Sequence, residues 1–166
     1  MKQRMLALLV ASAVLTSSVA YAVPQLVAVG EGFTAGTVLI RKQESALYFL
    51  AGSGQALRYQ VRFGRGAKRW AGAAVITAMY TNPSWIPSSN ARRENPRLPP
   101  FIPGGAPENP LGVAAMTLSG GEYSIHGTSG PSSIGRFGPY GCIRMFNEDA
   151  ADLYRRVGIG TQVIVE

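Results

Sequence analysis

Eight of the eleven prolines in this chain lie between residues 81 and 112. Proline has no backbone N–H and a fixed φ, so neither a helix interior nor a central strand tolerates it at this density. The stretch is therefore predicted to be a long irregular loop, and such loops in compact domains tend to bind ligands or act as lids. A linker between two domains is the alternative, but 166 residues support one ordinary domain rather than two.

The rest of the chain is predicted to be mainly β-sheet, because short apolar runs rich in β-branched residues alternate with turns. These runs cover residues 37–40, 46–50, 55–63, 73–80, 114–118, 123–125 and 161–165. Glycine-containing turns at 52–54 and 119–121 predict two hairpins. One helix is predicted, with Asn147 as its N-cap, an apolar face that begins at Ala150, and Gly158 at its end.

Residues 1–22 have the organisation of a secretory signal peptide. Lys2 and Arg4 precede an apolar run, and residues 20–22 form a small-x-small cleavage site. The run is too short for a comfortable membrane span, and an uncleaved anchor is the alternative. We therefore expect a signal peptide at 1–22, a short leader at 23–34 and a folded domain at 35–166. We also expect a periplasmic location and no integral membrane span after cleavage.

The chain contains one histidine, His126, and one cysteine, Cys142. These counts exclude an intramolecular disulfide and a four-ligand zinc site of the Cys/His kind. The sequence also has no phosphate-binding glycine loop, so neither a metal nor an organic cofactor is expected. In an oxidising compartment, a lone thiol is either buried and inert or a candidate nucleophile.

The histidine and the cysteine are sixteen positions apart, and the segment between them is rich in Gly and Pro and can fold back on itself. A thiol attacks acyl carbons as the thiolate, and a neighbouring imidazole can take its proton near neutral pH. Gly141 allows close approach of the backbone to a substrate, and amides at such a turn can face an oxyanion. Arg144 is expected on the same strand face as Cys142, as a carboxylate ligand or a cation that lowers the thiol pKa. A solvated surface arginine is the alternative.

Residues 126–128, a spacer, and residues 141–145 resemble the catalytic signature of the L,D-transpeptidases, the YkuD-type domain. The strand start at Thr37, the segment 109–112 before a strand and the helix after Met145 are also similar to that domain. The resemblance covers about residues 35–166. It implies a β-sandwich-like catalytic domain of mixed strands, with one helix after the cysteine motif.

The resemblance further implies an enzyme that acts on peptidoglycan stem peptides. Cys142 would attack the amide between the stem diamino acid and the terminal D-Ala, and His126 would protonate the departing D-Ala. The thioester would then pass to an amine of another stem or of a lysine-bearing envelope protein. Carbapenems would acylate the same thiol.

Other site residues also follow from the resemblance. The Gly127 carbonyl would orient the imidazole, and the amides of Gly141 and Cys142 would form the oxyanion hole. Arg144 and Tyr140 are the expected substrate contacts.

The sequence departs from the family signature at two positions, where Pro139 replaces Ser/Thr and Tyr140 replaces a second His. Two alternatives therefore stay open: a hydrolase that uses water as acceptor (a carboxypeptidase or amidase), and a non-catalytic wall-binding protein. The net charge of +7, which becomes +5 after signal cleavage, suits an anionic wall polymer. It would equally suit nucleic acid, which export argues against.

Overall fold

The computed structural model describes residues 24–121, 123–130 and 141–166, and these residues form a mixed sheet of ten strands. The strands are β1 (Gln25–Ala28), β2 (Val38–Arg41), β3 (Ala46–Gly52), β4 (Gln55–Gln60), β5 (Arg62–Phe63), β6 (Gly72–Thr81), β7 (Ala114–Leu118), β8 (Tyr123–His126), β9 (Gly141–Arg144) and β10 (Gln162–Val165). Three helices accompany them: α1 (Arg65–Arg69), α2 (Ser89–Glu94) and α3 (Asn147–Arg156). No helix in these ranges is long and apolar enough to cross a membrane. The predicted signal peptide lies outside the described residues.

The strand order is β1-β4-β3-β2-β10-β6-β7-β8-β9-β5. Strands β2 and β10 are parallel, β8 and β9 are parallel, and the other neighbours are antiparallel. The long strand β6 joins two halves of the sheet, since it pairs with β10 through Val75 and with β7 from Ile76 onward. A register shift between Ile76 and Ala78 lies close to this change of partner. The predicted fold class, mainly β with mixed strands, is confirmed.

The larger of two hydrophobic clusters among the described residues contains side chains from both halves of the sheet. Leu47 and Tyr59 from the first half and Met116, Ile125 and Ile143 from the second belong to one cluster, and each is at most 1% exposed. Full burial of a large apolar side chain stabilises the fold by about 1.5–3 kcal/mol. The side chains of β8 and β9 that face this core hold the site-bearing strands in place.

The predicted strand over 55–63 is wrong as a single element. The structure divides it at Val61, whose N–H donates to the Ser45 carbonyl at 2.9 Å. Strand β4 pairs with β1 and β3, whereas β5 pairs with β9 at the other end of the sheet. The chain therefore crosses between the two halves here, and β5 covers the outer edge of β9.

The predicted helix after the cysteine motif is present, but two short helices were not predicted: α2 lies within the irregular loop expected at 81–112, and α1 precedes β6. The Ser88 hydroxyl accepts a hydrogen bond from the Ala91 N–H at 3.2 Å and caps α2. The flanking prolines, Pro87 and Pro96, lie outside the helical residues. The proline-rich loop therefore has room for a short helix between its prolines.

The ends of this loop are held together by Asn109, which is 1% exposed. Its amide nitrogen donates to the Pro83 carbonyl at 2.8 Å and the Pro103 carbonyl at 2.9 Å. Trp85 and Ile102 exchange two backbone hydrogen bonds of 2.8 and 2.9 Å. Prolines have no N–H and cannot donate hydrogen bonds to nearby carbonyls. The Asn109 amide and the backbone of Trp85 and Ile102 supply donors in their place.

Helix α3 occupies the predicted place, but its N-cap is Phe146 rather than Asn147. Asn147 is the first helical residue, and its side-chain oxygen bonds to backbone outside the helix. Further along, Asp152 accepts a 2.7 Å hydrogen bond from the hydroxyl of Tyr59 on β4. The helix is thereby tied to both halves of the sheet.

Candidate active site

The histidine and the cysteine lie on neighbouring parallel strands. Ser124 and His126 on β8 are the register partners of Cys142 and Arg144 on β9. Side chains alternate along a strand, so these four share one face of the sheet, while Ile125 and Ile143 point to the core. Cys142 is the direct partner of Ser124, so His126 and Cys142 are diagonal neighbours on this face.

The imidazole of His126 is held in one tautomer. The side chain is 3% exposed, and Nδ1 lies 2.7 Å from the Gly127 carbonyl oxygen. Because a carbonyl only accepts, Nδ1 carries the proton and donates it, which leaves Nε2 as an acceptor in the neutral ring. Nε2 is buried and has no hydrogen-bond partner among the described residues.

Burial lowers the pKa of His126 to about 4. The hydrogen bond to Gly127 acts in the opposite direction, and the Arg144 cation adds to the lowering. The ring is therefore neutral at pH 7. A neutral imidazole with its acceptor nitrogen turned away from the carbonyl is ready to receive a proton.

Cys142 lies in the interior of its sheet rather than at an edge. Its carbonyl accepts a 2.8 Å hydrogen bond from Gly64 N–H, and β8 pairs on the other side. Its Sγ lies 3.9 Å from the Ser124 hydroxyl oxygen. Burial raises the pKa of the Cys142 thiol, while the Ser124 hydrogen bond and the Arg144 charge oppose that rise. The resting pair is therefore a neutral thiol and a neutral imidazole.

Two arginines flank the cysteine on this face. Burial lowers the pKa of Arg144, and the nearby Cys142 only partly opposes that lowering. Arg62 on β5 is the register partner of Arg144, so both side chains lie on one face of the sheet. The sheet face that carries Cys142 therefore also carries two cationic residues, and positive charge of this kind attracts anionic groups.

Gly127, whose carbonyl holds the imidazole, is in very close contact with the start of α3. A Cβ at Gly127 would lie 2.2 Å from Asn147 Oδ1, and one at Gly112 would lie 2.1 Å from the same atom. Asn147 Oδ1 accepts hydrogen bonds from the N–H groups of Thr128 at 3.0 Å and Val113 at 3.3 Å. Glycine is therefore required at both positions for the asparagine to reach the backbone beside the histidine.

A family model of the L,D-transpeptidase catalytic domain, YkuD, matches residues 35–165. The chain belongs to the L,D-transpeptidase catalytic-domain family. The probable L,D-transpeptidase ErfK/SrfK of Salmonella typhimurium is 30% identical over 149 residues, which are 85% of this chain and 47% of that protein. The chain spans about half the length of the curated relatives it matches.

Solved structures share the fold, among them the following two. A chain from Brucella melitensis is 38% identical with a TM-score of 0.57, over 86% of this chain and 92% of that one. That protein is named a probable carnitine operon oxidoreductase. L,D-transpeptidase 3 from Mycobacterium tuberculosis is 14% identical with a TM-score of 0.58, over 78% of this chain and 60% of that one. The L,D-transpeptidase fold therefore extends to distant sequences.

The structure brings four of the predicted site residues of this L,D-transpeptidase-family chain together: His126, Gly127, Cys142 and Arg144. Gly141 is the first residue of β9, and Tyr140 lies outside the described residues, as does Pro139. Among the described residues, no three side chains of His, Cys, Asp or Glu are grouped closely enough to hold a metal ion.

Sequence reasoning missed three residues of the site, namely Ser124, Arg62 and Asn147. Ser124 lies two positions before His126, so strand alternation could have placed it on the same face. Arg62 needs the pairing of β5 with β9, which no local pattern in the sequence indicates. Asn147 was identified only as a helix cap, because a cap preference depends on nearby residues alone.

Proposed function

We propose that this chain is an exported cysteine L,D-transpeptidase that acts on peptidoglycan stem peptides. The observation that carries the proposal is the placement of Cys142 and His126 on one face of parallel strands, with His126 Nδ1 held by the Gly127 carbonyl. The family match over 35–165 supports the same chemistry. The predicted signal peptide supports export to the periplasm.

The proposed reaction has two acyl-transfer steps. The Cys142 S–H proton passes to His126 Nε2 as sulfur attacks the carbonyl carbon of the amide between the stem diamino acid and D-Ala. The tetrahedral intermediate collapses, the C–N bond breaks, and D-Ala leaves as an amine after taking the proton from His126. An acceptor amine then attacks the thioester, gives its proton to His126, and releases the thiol as the new amide forms.

The electrostatics favour proton transfer at the moment of attack rather than a standing ion pair. Burial lowers the pKa of His126 to about 4 and raises the pKa of Cys142, so both groups start neutral. A neutral pair costs less to bury than a thiolate and an imidazolium. The base then acts when negative charge develops on the substrate oxygen, which the amides of Gly141 and Cys142 would stabilise.

Substrate recognition in this proposal uses the positive charge on the site face. Arg144, whose side chain is partly buried beside Cys142, would bind a stem carboxylate, and Tyr140 would contact the stem peptide. The acceptor would be the diamino acid of a second stem or a lysine of an envelope protein. A carbapenem would acylate Cys142 in place of the stem.

The proposal can be tested with the purified chain and a disaccharide-tetrapeptide. We expect stoichiometric release of D-Ala, an acyl-enzyme on Cys142 by intact mass, and a crosslinked dimer of stems by chromatography. Cys142→Ala should abolish all three products, whereas Ser89→Ala, at an exposed position of α2, should leave them unchanged. Intact-mass labelling of Cys142 by a carbapenem is a second expected result.

The products also discriminate between the alternatives. A tripeptide without a crosslink, with equal D-Ala release, would show water as the acceptor and would make the chain a hydrolase. Binding to isolated wall without D-Ala release or thiol acylation would identify a non-catalytic wall-binding protein and overturn the proposal.

A further inference from the structure

The imidazole of His126 is oriented by a peptide group whose other end is bound by Asn147. The Gly127 carbonyl that accepts from His126 Nδ1 and the Thr128 N–H that donates to Asn147 Oδ1 belong to the same peptide unit. A peptide unit is planar, and no cis bond occurs among the described residues, so its N–H and C=O point in opposite directions. Fixing the N–H therefore fixes the direction of the carbonyl.

We propose that Asn147 is a positioning residue for the histidine, acting through the Gly127–Thr128 peptide. The hydrogen bonds run from His126 Nδ1–H to the Gly127 carbonyl, and from the Thr128 N–H to Asn147 Oδ1, at 2.7 and 3.0 Å. Hydrogen bonds in such a chain polarise one another, because an engaged N–H makes the carbonyl of the same peptide a stronger acceptor. The asparagine thereby holds the ring without touching it.

The backbone around this peptide leaves it little freedom to reorient. The His126 carbonyl accepts from Met145 N–H at 2.9 Å, and the Gly127 N–H donates to the Ala114 carbonyl at 3.0 Å. Asn147 Oδ1 also accepts from Val113 N–H, so one oxygen links the start of β7 to the end of β8. The Thr128 N–H is the contact that α3 makes directly with the peptide that orients the ring.

The two glycines show how specifically this contact is built. A methyl group at Gly127 would come within 2.2 Å of Asn147 Oδ1, and one at Gly112 within 2.1 Å of Oδ1 and 2.5 Å of Thr128 N. Gly112 also has a φ of +65°, which disfavours other residues. An ordinary helix cap would need neither glycine, whereas an asparagine reaching into the backbone needs both.

The test uses the full chain, in which His126 is the sole histidine and therefore gives the only imidazole signals in ¹⁵N NMR. In the wild type we expect the Nδ1–H tautomer at pH 7 with a slowly exchanging ring proton. In Asn147→Ala we expect mixed tautomers and faster exchange. Asn147→Asp, which keeps an oxygen at the same place, should retain the wild-type tautomer. Asn95→Ala, at an exposed loop asparagine whose Oδ1 accepts one backbone N–H, is the matched control and should change nothing.

A kinetic measurement accompanies the NMR and rests on the proposed transpeptidation. We expect Asn147→Ala to lower kcat about tenfold with KM unchanged, since the substrate contacts remain and one positioning hydrogen bond is lost. Asn147→Asp should recover most of that loss. A folded Asn147→Ala protein with wild-type tautomer, exchange and kcat would overturn the positioning role.

The two proposals can fail separately. If the wild type releases no D-Ala while the imidazole signals still respond to Asn147→Ala, the positioning role stands and the proposed activity fails. If Asn147→Ala does not fold, Asn147→Asp still decides, because an ionised carboxylate is the stronger acceptor and should move the Nδ1 proton resonance downfield. An unmoved resonance would then refute the positioning role.

Discussion

The thiol of Cys142 lies 3.9 Å from the hydroxyl oxygen of Ser124, its register partner on the neighbouring parallel strand. Register partners on neighbouring strands have their side chains on the same face of the sheet, so the serine lies beside the thiol. Burial raises the thiol pKa, and the serine opposes that rise by donating to sulfur. Ser124 therefore favours deprotonation of the nucleophile.

Ser124→Ala should slow alkylation of Cys142 by iodoacetamide at pH 7. Loss of a hydrogen bond worth about 0.5–1 kcal/mol corresponds to a rate reduced roughly two- to fivefold. The rate should recover at high pH, where the thiol ionises without assistance. Ser89→Ala should alkylate at the wild-type rate, and an equal slowing of Ser124→Ala at every pH would contradict this role.

Two buried groups should give the protein opposing dependences of stability on pH. Burial lowers the pKa of His126 from 6.5 to about 4. Its contribution to the free energy of unfolding is therefore complete above pH 6.5 and is lost as the pH falls through 4. For Asp149, which is 2% exposed, burial and the nearby carboxylates of Glu148 and Asp152 raise the pKa to about 6. Its contribution is full below 3.8 and is lost as pH rises through 6. Each amounts to about 3 kcal/mol.

Single variants should separate these two contributions. Relative to wild type between pH 4 and 7, the free energy of unfolding should rise less steeply with pH in His126→Gln and more steeply in Asp149→Asn. Compared with wild type, the change in unfolding free energy between pH 4 and 7 should be smaller in His126→Gln and larger in Asp149→Asn. Each difference should be about 3 kcal/mol. Urea titrations at a series of pH values measure this, and parallel curves for all three proteins would disprove it.

Tyr59→Phe should destabilise the protein without affecting the site. The Tyr59 hydroxyl is buried and donates to Asp152 at 2.7 Å, and Arg156 binds both oxygens of the same carboxylate at 2.8 and 3.0 Å. We expect a loss of about 1 kcal/mol from the missing hydrogen bond. Tyr80→Phe, at an exposed tyrosine, should cost nothing measurable in urea unfolding. Thiol labelling should be equal in both, and a change confined to Tyr59→Phe would show that α3 transmits strain to Cys142.

Asn109→Ala should loosen the proline-rich loop. The variant removes the amide that donates to the Pro83 and Pro103 carbonyls. Pro83 is buried, so its unsatisfied carbonyl should cost about 1–3 kcal/mol, whereas Pro103 is exposed and water can replace the lost donor. Trypsin should cut faster after Arg93 and Arg97, which are exposed in the loop. Cutting at the wild-type rate, in a variant of reduced global stability, would show that the loop is held by other contacts.

Local patterns in the sequence were sufficient for most strands and for α3. The turn at 52–54 is a hairpin because Ser53 and Gly54 both take positive φ, of 53° and 68°, between β3 and β4. The acidic first turn and apolar spacing placed helix α3 to within one residue of its observed start at Asn147. Such features depend on residues close in sequence, so a single chain reveals them.

The division of residues 55–63 was not predictable in this way. Both β4 and β5 consist of strand-forming residues, and only long-range pairing assigns them to opposite ends of the sheet. Helix α2 was hidden by the proline count, because a density over 32 residues says nothing about a proline-free segment of six. Both outcomes depend on which distant partners each backbone group finds.

The sequence by itself determined which atoms could perform cysteine chemistry, since it contains one thiol and one imidazole. It could not determine how the two are held. The tertiary structure decided that the Ser124 hydroxyl lies next to the thiol and that Arg62 pairs in register with Arg144. It also decided that Asn147 binds the peptide beside the histidine. These relationships join residues from different strands and a helix, and packing of those elements, rather than local preference, sets their distances.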